Sequence, residues 1–224
     1  MSPHKKKNNM KRLFTIAAAL LLLAACTDFE PFLYQCAVMG YTRTANTIKG
    51  DDGCIYSFDF DMIENSWDTG TRVFVLMDVT EAVSDSVFKA TNSSFIYPLY
   101  KEPIVLEAGE IPDTLGTDGI LMSDGWYSGG CLNMANRINV VEGVGYHRIN
   151  LLVDKREEDS DTLRMQLFHR WVDAVESVTA SASGYSFYSS FPIRQYLPEK
   201  DSVVLKISWT WDGEASSLEA KVKR

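Results

Sequence analysis

The sequence lacks the motifs by which most enzymes are recognised. It contains no glycine-rich phosphate-binding loop, no His-Glu-x-x-His zinc motif and no Gly-x-Ser-x-Gly nucleophile motif. It also has only three histidines and four cysteines among 224 residues, so few imidazole or thiolate ligands are available for a zinc site. We therefore expect a protein that is not an enzyme and that has no catalytic residues, no cofactor and no metal ion.

Positive charge is scarce outside the N-terminus, and this scarcity excludes one class of partner. The whole chain has 22 basic and 30 acidic residues, a formal net charge of -8. Five of the basic residues lie within residues 1–25, which contain no acid, so the rest of the chain has 17 basic and 30 acidic residues and a net charge of -13. Because phosphate backbones repel such an acidic body, we expect no binding to nucleic acid.

An apolar run at residues 13–25 has the features of a signal peptide. It follows the basic pair Lys11-Arg12 and is too short to span a membrane, which takes about 20 residues. It ends in Leu23-Ala24-Ala25-Cys26, which resembles a bacterial lipobox, where small residues flank the cleavage site and the cysteine is acylated. We predict a lipoprotein signal peptide over 1–25 and lipidation of Cys26. The alternative is an ordinary secretory signal followed by a chance cysteine.

The mature protein is predicted to be anchored to a membrane rather than to cross it, because no later stretch approaches 18 apolar residues. Acyl chains on Cys26 would anchor the protein stably, and residues 26–31 would form a short lipidated tether. The predicted partner is therefore membrane lipid, and the predicted location is the outer membrane. Asp28 and Glu30 point weakly to surface export, so the periplasmic face and the cell surface both stay open.

Beyond the tether, apolar residues alternate with a period of two, which predicts strands rather than helices. About five short strands lie between residues 32 and 106, where Asp51-Asp52-Gly53 is interpreted as a hairpin turn. Residues 107–119 are rich in acids and turn formers, which indicates a linker or domain boundary. About seven strands follow without a helix, and this pattern predicts a β-sandwich over 118–224.

Short motifs along nearly the whole chain carry a family resemblance. They are Lys49-Gly50-Asp51-Asp52-Gly53, Gly70-Thr71-Arg72-Val73-Phe74-Val75, Trp126 with Cys131-Leu132-Asn133-Met134, His147-Arg148-Ile149-Asn150-Leu151-Leu152-Val153, Leu163 to His169-Arg170, and Asp201-Ser202-Val203-Val204-Leu205. These motifs resemble those of the NigD-like lipoproteins of Bacteroidetes. The resemblance implies an all-β chain with an N-terminal OB-like five-stranded barrel over 32–106 and a C-terminal β-sandwich over 118–224. It implies little about activity, because the biochemical role of the family is unsettled. This chain departs from the pattern at Cys131, which replaces an aromatic residue.

Two histidines, His147 and His169, follow the signal peptide, and each is in phase with the apolar positions of its strand. If Val153 pairs with Leu163 in a hairpin, position 147 faces position 169, with Cβ atoms about 5 Å apart. Such a pair keeps a metal-dependent enzyme that uses His147 and His169 as an alternative, although zinc needs further ligands that the spacing does not reveal. The favoured interpretation is two partly buried, hydrogen-bonded histidines near one end of the sandwich.

Three cysteines follow Cys26, and they would meet an oxidising compartment after export. Cys36 and Cys54 lie on strands of the same predicted barrel, so they are a possible disulfide. Cys131 would then be the odd thiol. Its neighbours resemble no nucleophile motif, so we interpret it as a core residue.

Aromatic residues are plentiful enough to serve a binding surface. The candidates for stacking on a sugar are Trp67, Tyr97, Tyr100, Trp126, Tyr127, Trp209 and Trp211. Trp209 and Trp211 share one strand face, but aromatic residues more often fill the core of a small sandwich. The sequence therefore predicts a non-enzymatic binding or interaction module with a protein or glycan partner. The alternative is a carbohydrate- or peptide-binding accessory of an uptake or bacteriocin-linked system.

Overall fold

A computed structural model describes residues 33–59, 69–140, 145–156, 161–172 and 183–223. The described residues form strands and two single-turn 3-10 helices, at Asp113–Leu115 and Arg194–Tyr196. The predicted all-β class is therefore confirmed. None of the described helices has the length and the apolar character that a membrane crossing requires. The predicted signal peptide, Cys26 and the tether lie outside the described residues.

The N-terminal part is a closed barrel of five strands, which confirms the predicted barrel. Its strands are β1 (Tyr34–Thr44), β2 (Thr47–Gly50), β3 (Ile55–Phe58), β4 (Arg72–Ser84) and β5 (Val87–Ile96). They are hydrogen-bonded in the order β1-β2-β3-β5-β4, with β3 and β5 parallel and the other neighbouring strands antiparallel. Alternate side chains such as Val38, Ile48 and Val75 fill the interior. Closure leaves the sheet with no free edge.

The turn between β2 and β3 forms where the Asp-Gly pattern predicts it. Asp52 accepts a hydrogen bond from the backbone N–H of Cys54 at 2.9 Å and another from the Tyr56 hydroxyl at 2.6 Å. Gly53 has a φ of 86°, which side chains disfavour. Asp52 and Gly53 therefore act as turn residues, as expected, whereas Asp51 has a different role at the junction described below.

The C-terminal part is a sandwich of two sheets. Its strands are β6 (Leu99–Tyr100), β7 (Ile104–Leu106), β8 (Leu121–Ser128), β9 (Cys131–Val140), β10 (Tyr146–Asp154), β11 (Thr162–Val172), β12 (Ser183–Pro192), β13 (Ser202–Trp211) and β14 (Glu214–Lys223). One sheet has the order β14-β13-β11-β10-β7 and the other β6-β12-β9-β8. Buried residues of both sheets, such as Met134, Leu151, Phe191 and Leu205, form one core between them.

Residues 99–106 contribute strands to the sandwich, whereas the sequence pattern assigned them to the barrel. The sequence pattern places these residues in the barrel segment, but β6 pairs with β12 and β7 pairs with β10 in the sandwich sheets. The expected linker at 107–119 also packs on the sandwich, because Leu115 is buried in a cluster with Leu152 and Phe168. Strands of two and three residues carry too little alternation to be assigned from sequence.

A buried ion pair joins the barrel to the sandwich. Arg72, the first residue of β4, donates from Nη1 and Nη2 to the two carboxylate oxygens of Asp51, at 2.6 and 2.5 Å. The side chain of Arg72 is 0% exposed and that of Asp51 is 7% exposed. Arg72 also donates to Asn133 on β9 and to Ser190 on β12, at 3.0 and 3.2 Å. A barrel cation is thus held by polar groups from two sandwich strands.

The sandwich also satisfies the carboxylate of this pair. The Ser128 hydroxyl donates to Asp51 at 2.6 Å and accepts a hydrogen bond from the Asn133 amide at 3.0 Å. Gly129 lies so close to Asp51 that an added Cβ would come within 2.1 Å of its Oδ1, so this position requires glycine. On the other side of the ion pair, Tyr41 lies under the guanidinium, 4.6 Å from ring centroid to Cζ.

Aromatic contacts complete the junction. The Phe74 ring on β4 lies 4.6 Å from that of Tyr188 on β12 and 6.3 Å from that of Trp126 on β8. Trp126 is half-buried in this cluster. It therefore serves the packing between barrel and sandwich rather than an open stacking surface.

We predict that Arg72→Met destabilises the protein by about 3–5 kcal/mol, because it leaves the Asp51 carboxylate buried without its counter-charge. The measurement is the free energy of unfolding in urea. Lys89→Met is the matched control, since it breaks the pair with Glu81, in which both side chains are about half exposed. The control should lose far less stability. Equal losses in the two variants would contradict a special role for the Arg72–Asp51 pair.

Candidate functional site

An open cleft of about 480 Å³ lies at the end of the sandwich where β9 ends and β10, in the opposite sheet, begins. The residues that line it are Tyr97, Pro98, Leu99, Ile138, Val140, His147, Ile149, Tyr185, Phe187 and Tyr188. This volume is in the range of sites that hold a small ligand or a few side chains. The walls are mostly apolar and aromatic, and no serine, cysteine, lysine or carboxylate is among the lining residues in the described part of the chain.

The rim of the cleft presents large apolar side chains to solvent. Tyr97 is 45% exposed, Leu99 is 38% exposed and Tyr185 is 55% exposed. Tyr185 and Phe187 are two residues apart on β12, so they project from the same face of the strand, and their rings stack at 6.0 Å. Burial of the phenol raises the pKa of Tyr97 to about 12, so its hydroxyl keeps its proton at neutral pH.

His147, one of the lining residues, forms a pair with buried His169. His147 Nδ1 lies 2.8 Å from His169 Nε2, and His169 Nδ1 lies 2.9 Å from the carbonyl oxygen of Gly119. His169 is buried at 3% exposure, whereas His147 is half-buried and stacks on Trp171 with ring centroids 5.3 Å apart. The favoured interpretation of two partly buried, hydrogen-bonded histidines is confirmed.

The register that places the two histidines together differs from the predicted one. The structure pairs Val153 with Met165, so His147 faces Trp171 and Ile149 faces His169. The expected pairing of 147 with 169 is therefore wrong by two residues. The imidazoles still meet, because a shift of two residues keeps both side chains on one face of the sheet and makes them diagonal neighbours.

The environment of the pair keeps both imidazoles neutral. Burial lowers the pKa of His169, against the opposing effects of its bond to Gly119 and of the Asp118 carboxylate. Burial also lowers the pKa of His147, and the charge that His169 could carry lowers it further. At neutral pH the two rings are therefore uncharged hydrogen-bonding groups.

A metal site would need ligands that this arrangement does not supply. Within the described ranges, no group of three or more histidine, cysteine, aspartate or glutamate side chains is placed to hold a metal ion. The two facing nitrogens of His147 and His169 are engaged with each other at 2.8 Å. The geometry therefore gives no support to the alternative of a metal-dependent enzyme.

The predicted aromatic candidates divide between core and surface. Trp209 is 9% exposed within the sandwich core, and Trp211 packs against that core, so the core interpretation of this strand face is confirmed. Tyr97 lines the cleft, and Tyr100 is exposed near it on β6. Trp67 lies outside the described residues.

Most of the cleft was not identified from the sequence. The lining residues that sequence reasoning missed are Pro98, Leu99, Ile138, Val140, Ile149, Tyr185, Phe187 and Tyr188. The alternation of Tyr185 and Phe187 on one strand was the available signal. The alternation does not show whether the aromatic face of the strand packs in the core or faces solvent, because that depends on how the opposite sheet packs against it.

The three described cysteines have free thiols in the structure. Cys36 and Cys54 are half-buried against the barrel core. Burial raises the pKa of the Cys36 thiol, and the Asp52 and Asp78 carboxylates and then Cys54 add smaller effects in the same direction. Their disulfide stays a prediction. Cys131 is 1% exposed, with its sulfur 3.5 Å from the Tyr41 hydroxyl, which confirms its interpretation as a core residue.

We predict that the histidine pair makes the folded state less stable as the pH falls below about 6.5, the ordinary histidine pKa. Because both folded-state pKa values are lowered, the unfolded chain takes up protons that the folded chain resists, so stability is complete above this pH and declines below it. Urea unfolding at pH 7.5 and 5.5 measures the loss. His169→Gln keeps an amide donor for Gly119 but does not titrate, so its loss should be smaller. Identical losses in wild type and variant would contradict the prediction.

Comparisons with known proteins agree on the fold. The family model described as the NigD-like C-terminal beta sandwich domain matches residues 103–222. No curated protein matches the sequence. A NigD-like immunity protein from Bacteroides caccae is 18% identical with a TM-score of 0.56, over 87% of this chain and 99% of that chain.

Two further solved structures resemble this chain over most of its length. A protein from Parabacteroides distasonis assigned as toxin-related is 18% identical with a TM-score of 0.63, over 85% of this chain and 94% of that chain. A protein from Bacteroides fragilis assigned as a lipoprotein is 13% identical with a TM-score of 0.55, over 85% of this chain and 97% of that chain. At these identities the likenesses establish a shared fold.

Proposed function

Because this chain belongs to the family defined by the NigD-like C-terminal beta sandwich domain, we propose that it is a lipid-anchored envelope protein that acts as a non-enzymatic binding module. The cleft at the end of the sandwich is its binding site, and the occupant is an apolar segment of a protein or peptide partner. The observation that carries this proposal is the open, aromatic-lined cleft of about 480 Å³ with exposed Tyr97, Leu99 and Tyr185 on its rim.

The chemistry of the walls favours a peptide over a glycan. A sugar presents many hydroxyl groups, and each loses free energy when it leaves water without a hydrogen-bond partner. The cleft offers one imidazole and a few tyrosine hydroxyls among otherwise apolar side chains. Apolar side chains of a peptide would instead gain free energy from burial against Tyr185, Phe187 and Ile138.

The same walls support a binding role rather than catalysis. Among the lining residues that the structure describes, none is an ordinary nucleophile such as serine, cysteine or lysine, and none is a carboxylate. The imidazole of His147, which lines the cleft, is engaged with His169 and Trp171 rather than with an acid. A relative is named as an immunity protein, which suits a function exercised through contact with another protein.

Acylation of Cys26 holds the module at its membrane in this proposal. The support is the basic and apolar segment that ends in Leu23-Ala24-Ala25-Cys26, together with a similar structure assigned as a lipoprotein. We propose the outer membrane as the location.

We predict that Cys26→Ser moves the protein from the membrane fraction to the soluble fraction, because serine cannot take the thioether-linked lipid. The measurement is partitioning between sedimented envelope and supernatant, with Cys131→Ser as the control that keeps the proposed lipidation site. The control should stay with the membrane. Retention of Cys26→Ser in the envelope would contradict the anchor.

We predict that Tyr185→Ser reduces the recovery of the partner at least severalfold, because the variant removes an exposed ring from the cleft rim. The experiment cross-links the full acylated chain in native envelopes and quantifies each captured species by mass spectrometry. Tyr34→Ser is the matched control, since Tyr34 is a tyrosine of the barrel surface with 41% exposure.

The comparison of the two variants decides between the possible occupants. A peptide or protein whose capture falls in Tyr185→Ser but not in Tyr34→Ser supports the proposal. A glycan with the same dependence would replace the peptide as the occupant. Equal capture by both variants and the wild type would contradict the assignment of the cleft as the binding site.

A further inference from the structure

The hydrogen bonds of the histidine pair determine where its protons lie. The carbonyl oxygen of Gly119 can only accept a hydrogen bond, and it lies 2.9 Å from His169 Nδ1. The proton of His169 is therefore on Nδ1. In the neutral ring, the other nitrogen, Nε2, then has a free lone pair and can only accept.

His147 must supply the hydrogen for that acceptor. Its Nδ1 lies 2.8 Å from His169 Nε2, so this nitrogen of His147 carries a proton. Burial lowers the pKa of both rings, so neither gains a second proton at neutral pH. Nε2 of His147 is then left unprotonated, and its lone pair can accept a hydrogen bond.

The position of His147 makes this lone pair available to a ligand. Nδ1 and Nε2 lie on opposite sides of an imidazole, so Nε2 points away from buried His169. The ring is part of the cleft wall and is held in its plane by stacking on Trp171. Among the described residues, no protein group is hydrogen-bonded to this nitrogen. The cleft therefore contains an oriented acceptor among apolar walls.

We propose, on the basis of the binding function proposed above, that the cleft recognises an aromatic side chain carrying one hydrogen-bond donor, the indole of tryptophan or the phenol of tyrosine, in a peptide partner. The aromatic body packs against Tyr185, Phe187 and Ile149, and the indole N–H or phenol O–H donates to His147 Nε2. A ligand with no donor would leave the lone pair of Nε2 desolvated and unpaired, which costs free energy.

His169 is a positioning residue in this arrangement, because it acts on the ligand through His147. Its bond to the Gly119 carbonyl fixes one tautomer along the whole chain of hydrogen bonds. Without that bond, His147 could adopt the other tautomer, in which Nε2 carries a proton and repels a donor.

The charged groups near the two histidines bear on the pH dependence of this hydrogen bonding. Asp118, in the segment before β8, acts on both rings, and its carboxylate accepts a hydrogen bond from the backbone of Trp171. The neighbouring cations on the same strands bond elsewhere: Arg148 to the Tyr146 hydroxyl and Arg170 to the Thr114 carbonyl. The described residues of β9 and β12 that line the cleft with His147 are apolar or tyrosine side chains. At low pH the pair takes up a proton, and a protonated His147 has a hydrogen-bond donor at Nε2 in place of the acceptor.

The test is a titration of the full mature chain with indole and with 1-methylindole, which differ in the N–H donor. Chemical shift changes of the cleft residues give both dissociation constants at pH 7.5. We expect indole to bind roughly two- to tenfold more tightly, the value of one net hydrogen bond. His147→Phe keeps an aromatic ring without the acceptor, so the preference should disappear, and at pH 5 it should shrink or reverse in the wild type.

The outcomes separate this inference from the proposed function. Equal binding of the two probes in the cleft would overturn the donor preference and leave the binding cleft in place. Failure of both probes to shift any cleft resonance would count against the cleft itself. Nitrogen-15 shifts of the histidine side chains test the tautomer without a variant, so they apply even if His147→Phe does not fold. A protonated Nε2 in His147 at pH 7.5 would overturn the inference.

Discussion

The buried Arg72–Asp51 pair is the constraint on which the arrangement of this protein depends. Removing a guanidinium and a carboxylate from water is costly, and the cost is offset only if every remaining hydrogen-bonding group finds a partner. Those partners, Ser128, Asn133 and Ser190, all come from the sandwich. The barrel therefore has one position on the sandwich in which its buried charges are satisfied, which makes the junction specific as well as close.

This constraint gives a physical reason for motifs that the sequence presents as separate. The Asp-Gly hairpin supplies Asp51, the start of β4 supplies Arg72, and the segment after Trp126 supplies Ser128 and Asn133. The period-two pattern and the turn at Gly53 were sufficient to predict the strands and their all-β class. The role of Asp51 could not be predicted, because a carboxylate in a turn has the same local pattern whether it faces water or an arginine from another strand.

The candidate site shows where prediction from sequence ends. The alternation of apolar residues predicted that His147 and His169 share one face of the sheet. This prediction holds despite the two-residue error in register, because the side-chain period of a strand is two. The direct pairing did not survive, since hydrophobic alternation fits equally well in registers that differ by two. The cleft itself could not be found in this way. Its lining residues come from both sheets, and β6, which carries Leu99, is too short to be recognised.

The junction and the cleft share two strands, β12 and β9. Arg72 is bonded to Ser190 on β12 and Asn133 on β9, and farther along these strands Tyr185 and Ile138 line the cleft. Tyr188 contacts both regions, since its ring packs on Phe74 of the barrel and also lines the cleft. Displacing the barrel would thus disturb one wall of the cleft.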